Sequence, residues 1–127
     1  KKESSENPVY YAQYAHARLS QVLNIASDIA IDETGKNLKE HSEIALLKAI
    51  IEFPNMVLST AKTKEVQKVT AYIQNFASLV HGFYSECRVI DRDNIDITSS
   101  RLALVKASQI VLRNALNLIG VSAPTKM

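Results

Sequence analysis

Apolar residues recur along this chain at alternating spacings of three and four, the mark of helices that turn one side toward a core. Ala15, Leu19, Val22, Ala26 and Ile29 form the first stripe. Asn7 ahead of it is a capping side chain, and Pro8 suits the first helical position, so the pattern predicts a helix over residues 8–29. Residues 32–37, with Gly35 among them, read as a turn. Ile44, Leu47 and Ile51 predict a second helix over 41–52, which Pro54 ends or kinks before a short helical continuation over 56–61. Thr63 then stands where a cap for the third helix is wanted. There Val66, Val69, Ile73, Phe76, Val80, Phe83 and Cys87 alternate without a break as far as about Glu86. A charged loop follows at 91–94, and Thr98 or Ser99 is placed to cap the last helix.

That last helix carries two stripes, Leu102, Val105, Leu112, Leu116 and Ile119 beside Leu104, Ala107, Val111, Ala115 and Leu118. A helix apolar on two faces belongs at the centre of a bundle. Gly120 suits a left-handed stop, Val121 can fold back on the last turn, and Pro124 prevents continuation. The expected fold class is all-α, a bundle of four main helices plus a short one. Residues 1–6 are expected to be a polar leader, and 7–127 a single helical domain.

Composition supports this picture. Three Gly and three Pro among 127 residues are too few for a turn-rich β domain. The single cysteine, Cys87, excludes an internal disulfide and continues an apolar stripe, so a packed thiol is expected rather than a nucleophile. The residues three before His16, His41 and His81 are Gln13, Leu38 and Ser78, which removes the carboxylate–histidine pattern of di-iron bundles. Neither a secretory signal nor a run of membrane-spanning length is read here, so a cytoplasmic protein making no membrane contact is expected.

Net charge is only +2, but its distribution is uneven. No Asp or Glu falls between Asn7 and Ser27, nor from Ile97 to Met127, so the first and last helices carry nothing to repel a phosphate backbone. Helix 1 bears Tyr10, Tyr11, Tyr14 and Arg18, with Tyr11 and Arg18 seven apart on one face. Tyr84 and Arg88, four apart, are expected to meet near the end of the third helix. Aromatic rings beside guanidinium groups suit unpaired bases, although tyrosines at the edge of an apolar stripe also serve as wet core borders.

Three blocks then resemble one family. Asn-Pro-Val-Tyr-Tyr-Ala-Gln-Tyr-Ala-His-Ala-Arg at 7–18 resembles the start of the C-terminal domain of arginyl-tRNA synthetases. Phe-Tyr-Ser-Glu-Cys-Arg-Val at 83–89 resembles its Tyr-x-x-Cys-Arg-Val element. Arg-Leu-Ala-Leu-Val-Lys-Ala at 101–107, Leu-Asn-Leu-Ile-Gly-Val at 116–121 and Ala-Pro-Thr-Lys-Met at 123–127 resemble its ending. The resemblance implies the helical anticodon-binding domain named for an Asp-Ala-Leu-Arg motif, where this chain has Ser100-Arg101-Leu102-Ala103-Leu104. It implies that Tyr11, Tyr14, Tyr84 and Arg88 face the anticodon arm and that Met127 lies near the loop. Lys126 keeps a positive charge where many relatives have Arg, without the planar fork. Arg18 belongs to the same block, either as an RNA contact or as an anchor between helices, and His16 is open in the same way.

The implied parent enzyme joins arginine to its tRNA with ATP and Mg²⁺. This chain shows neither nucleotide-binding motif of class I synthetases and is expected to bind without catalysing, with no cofactor of its own. Its expected partners are arginine tRNA isoacceptors and the catalytic domain of the longer chain. A cysteinyl-tRNA synthetase domain and a helical protein-interaction module are the alternatives.

Overall fold

In the computed structural model, which describes residues 8–127, the helices are α1 (Pro8–Ile25), α2 (His41–Thr63), α3 (Val66–Glu86) and α4 (Ile95–Leu118). The expected leader and the Asn7 cap lie outside the described residues. α3 and α4 touch each other, and each touches both α1 and α2, whereas α1 and α2 do not meet. The doubly apolar helix is thus part of the central pair, as its two stripes predict.

Most of the predicted core is buried. Val69, Ile73, Phe76, Val80, Phe83 and Cys87 of the third stripe pack with Leu102, Leu104, Val105, Leu112, Ala115 and Leu116 of α4. Ala15 and Leu19 meet them from α1. Cys87 is buried against Ser42, Sγ to Oγ 3.4 Å, as expected of a packed thiol. α1 stops at Ile25, four residues early, yet Ala26 and Ile29 still turn inward, because the turn after the helix keeps their phase.

α2 departs furthest from its predicted pattern. Its core-facing residues are Ser42, Glu43 and Leu46, backed by Ala49, Ile50 and Phe53, while Ile51 is 65% exposed. Of the predicted stripe, Leu47 packs against the edge of the core and Ile44 is half-buried, while Ile51 points away from it. Pro54 neither ends nor separates the helix: it sits on an exposed side, where water can meet the carbonyl its missing N–H leaves unpaired. The short fifth helix is therefore the second half of α2. With a mean hydropathy of 1.4, this helix is also long and apolar enough to cross a membrane, contrary to the expectation that no stretch approaches that length. Lys48 and Glu52 interrupt any unbroken apolar run without lowering the average far.

Caps differ as well. Thr63 is the last residue of α2; Lys64, at φ +59°, stops the helix by donating its N–H to the Thr60 carbonyl, and Glu65 precedes α3. Thr98 lies inside α4, buried, and both accepts from the Asp91 N–H (2.8 Å) and donates to the Asp91 carbonyl (2.9 Å), tying the charged loop to the helix that follows it. Asn94 precedes α4 instead. At the far end the prediction holds: Gly120, at φ +73°, lets Val121 N–H reach the Leu116 carbonyl and Gly120 N–H the Asn117 carbonyl, a Schellman stop.

A buried ion pair joins three of these elements. The Glu43 carboxylate accepts the backbone N–H groups of Lys39 and Glu40, both at 2.8 Å, and the Nε–H of Arg101 on α4. Arg101 also donates to the Arg88 carbonyl just after α3, at 2.8 Å. Burial pushes the Glu43 carboxyl up, but Arg101 and the two backbone donors outweigh it and hold it below the usual range.

Glu43→Ala is expected to cost about 3 kcal/mol in urea unfolding, because it strips the largely buried Arg101 of its carboxylate and the Lys39 and Glu40 N–H groups of their acceptor. A Glu43→Leu/Arg101→Met pair should cost much less. A depressed carboxylate contributes stability above its unfolded pKa of about 4.3 and loses it as pH falls through the lower folded value. The parent should therefore lose part of its stability in that acid window. A Glu43→Gln protein with an unchanged acid transition would assign that loss to other carboxylates.

Candidate nucleic-acid interface

Four of the residues singled out in the sequence meet in one groove. α1 and α3 run side by side, and their facing edges bring Tyr11, Tyr14 and Arg18 opposite Ala77, Val80, His81 and Tyr84 around a small cavity of about 20 Å³. The Arg18 guanidinium lies over the Tyr84 ring, 4.5 Å from its centroid. The Tyr11 and His81 rings are 6.4 Å apart and tilted by 57°. Tyr14 is 45% exposed, which leaves its ring open to a partner.

Tyr84 has a different setting from the exposed platform expected of it. Its ring is covered by Arg18 and Phe83 (5.9 Å), its hydroxyl is buried without a hydrogen bond, and burial pushes its pKa up to about 12. It holds Arg18 in place by a cation–π contact. Among the described residues no carboxylate pairs with Arg18, so its N–H donors stay open.

Arg88 does not share a helix face with Tyr84. α3 ends at Glu86 and Cys87 is extended, so the four-residue spacing no longer sets two side chains on one side. The Arg88 side chain is exposed, and its carbonyl is what Arg101 holds.

The C-terminal tail crosses α1 on the side away from the tyrosines. Gln13 Nε2 donates to the Ser122 carbonyl at 3.0 Å, and His16 Nδ1 donates to the Pro124 carbonyl at 2.7 Å. A carbonyl can only accept, so His16 carries its proton on Nδ1, and its buried Nε2 has no partner. Burial pushes the imidazole pKa down, the Pro124 hydrogen bond opposes that, and nearby Arg113 adds to it. His16 is thus a structural pin for the tail. Beyond the pin, Lys126 lines a second, wider cleft with Lys106, and Met127 is 51% exposed. Arg88 and Met127 line neither the groove nor the cleft.

His81 is a groove residue that the sequence pattern alone did not single out. The signal was present, since it lies three before Tyr84 and so shares that helix face, but a histidine in a helical bundle first suggests a metal ligand. Among the described residues no cluster of His, Cys, Asp and Glu could hold a metal ion.

Comparison with known proteins places this geometry in context. The model of a family described as the DALR anticodon binding domain matches residues 12–127. An arginine–tRNA ligase of Geobacillus kaustophilus is 49% identical over 130 residues, covering 98% of this chain and 23% of the ligase. A Campylobacter jejuni structure described as an arginyl-tRNA synthetase superposes with a TM-score of 0.84 at 29% identity, over 99% of this chain and 28% of that one. The Thermus thermophilus arginyl-tRNA synthetase gives 0.80 at 25% identity, over 92% and 21%. The chain spans about a quarter of the length of the relatives it matches.

The His16 pin has a measurable consequence. A histidine whose folded pKa is lowered loses stability as pH falls from the unfolded value of about 6.5 toward the folded one, because only the unfolded chain takes up the proton. Urea midpoints should decline across that window for the parent and stay level for His16→Gln. Equal slopes in the two proteins would place the proton uptake elsewhere.

Proposed function

The chain belongs to the DALR anticodon binding domain family, and from that premise we propose that it grips the anticodon arm of an arginine tRNA on behalf of a longer arginine–tRNA ligase. The observation that carries the reading is the groove between α1 and α3, with an open tyrosine ring beside a guanidinium that no carboxylate neutralises. A single-stranded loop offers bases to stack and phosphates to pair, and this groove offers one partner for each.

Tyr14 stacks on an unpaired base. Tyr11 and His81 form the wall beside it. Arg18 presents its fork to a phosphate or a base edge, held in place by the Tyr84 ring beneath it, so Tyr84 acts by positioning Arg18. Arg88, Lys126 and Met127 add contacts outside the groove, the lysine as a point charge on the RNA backbone. All arginine anticodons have C at the middle position, and that base is the one read. ATP and Mg²⁺ belong to the catalytic part of the longer enzyme, which acts in the cytoplasm. The relatives named above are arginine ligases, which favours this reading over a cysteinyl enzyme. Without the catalytic part, this chain binds and does not aminoacylate.

Fluorescence anisotropy with a labelled arginine tRNA tests this. Tyr14→Ala should weaken binding by about 1–3 kcal/mol, the range for losing one base–aromatic stack. Changing the middle anticodon base from C to G should weaken it as well. A folded Tyr14→Ala protein that binds as tightly as the parent removes Tyr14 from the site. Salt-insensitive association with a protein, and none with tRNA, would favour an interaction module.

A further inference from the structure

Two stretches free of Asp and Glu, 7–27 and 97–127, stand far apart in sequence, and the fold lays them together as α1 against α4 and the tail. A cleft of about 650 Å³ opens between them, and every residue lining it comes from one stretch or the other. Ser20, Gln21 and Asn24 stand on one side, Lys106 and Gln109 on the other, and Lys126 closes it from the tail. Its volume lies within the range of about 300–1,000 Å³ usual for small-ligand sites. Lys106 and Lys126 are exposed and form no ion pair among the described residues.

Behind the cleft wall one acceptor is left without a partner. Ser20 donates its only hydroxyl proton to the His16 carbonyl at 3.0 Å, so its oxygen can only accept from Gln109 Nε2, also at 3.0 Å. That fixes the orientation of the Gln109 amide and leaves its Oε1 buried without a partner. Two free ammonium groups, side-chain amides and no carboxylate match the chemistry of a nucleotide: phosphate for the lysines, base or sugar edge for the amides.

We propose that this cleft is a second RNA subsite, which takes one unpaired nucleotide and its flanking phosphates on the side of α1 opposite the tyrosine groove. Ser20 and Arg18 are two residues apart, about 200° around a helix, so groove and cleft lie on opposite flanks. One strand therefore crosses α1 and is held on both sides. Lys106 and Lys126 hold the backbone, and Gln21 and Asn24 meet the nucleotide at the rim. The inference rests on the reading of this domain as a tRNA binder, and the test separates the two.

Binding of this chain to a labelled anticodon-arm hairpin is followed by anisotropy across a salt series. A Lys106→Gln/Lys126→Gln double variant should flatten the slope of log K against log salt by about 1.4, two contacts at about 0.7 each for a single strand. Gln21→Ala/Asn24→Ala should weaken binding several-fold at an unchanged slope. The control is Lys48→Gln/Lys62→Gln on α2, which does not touch α1, and its slope should match the parent's. If the Lys106/Lys126 variant keeps the parent slope while Tyr14→Ala still weakens binding, the tyrosine groove stands alone and the cleft is no subsite. An equal flattening in the control pair would mean a diffuse field, and the cleft would again be no subsite. A parent chain that binds no RNA overturns the domain reading itself. Cytidine monophosphate, followed through the side-chain amide signals of Gln21, Asn24 and Gln109, separates the sources. Saturation by the mononucleotide as readily as by the hairpin would make this a free-nucleotide site and overturn the RNA assignment.

Discussion

The Glu43–Arg101 pair is the constraint on which the arrangement of the helices turns. One carboxylate terminates the loop before α2, anchors α4 and, through Arg101, holds the backbone that leaves α3. Because α1 and α2 never touch, α1 has no position of its own except the one that α3 and α4 give it. Any slip between those two helices would move Tyr84 and His81 relative to Tyr11 and Arg18, and the groove would lose its shape. Buried ion pairs contribute little net stability, since desolvation offsets most of the attraction. What this one supplies is register, with donors and acceptors that fit in a single arrangement.

Much of this was legible in the sequence, and what was not follows a pattern. The α3 stripe, the doubly apolar α4 and the Gly120 stop could be read because each rests on burial periodicity or on a backbone conformation that few residues tolerate. α2 could not, because both of its sides carry apolar residues and its core side also carries Ser42 and Glu43. Periodicity selects the more hydrophobic stripe, whereas the buried carboxylate is satisfied by partners up to 58 residues away. Thr63 and Thr98 misled for a related reason. A hydroxyl ahead of an apolar run is a local signal for a cap, but Thr98 is used for a tertiary hydrogen bond to Asp91 and Thr63 ends a helix instead of starting one.

The candidate surface was legible in composition and illegible in place. A net charge of +2 says almost nothing about nucleic acid. The absence of acids from two distant stretches acquires meaning only when the fold brings those stretches together. Sequence spacing put Tyr11, Tyr14 and Arg18 on one face, which is a local matter. It also paired Tyr84 with Arg88, and that failed because the helix ends between them. The tail is the complementary case: Gln13 and His16 hold it across more than a hundred residues of sequence, through hydrogen bonds to its backbone that leave no trace in side-chain pattern.

Arg18 shows why anchor and contact need not be rival roles. A guanidinium has two faces and an edge. The guanidinium carbon sits over the Tyr84 ring, 4.5 Å from its centroid, a contact that locates the charge without requiring a hydrogen bond from its N–H donors. Those donors meet no carboxylate among the described residues. A lysine in the same place could supply charge, but its ammonium has no fork to aim. The buried Tyr84 hydroxyl, left without a partner, fits the same division of roles: the ring is retained for its face, and what it positions is a cation whose hydrogen bonds are still unmade.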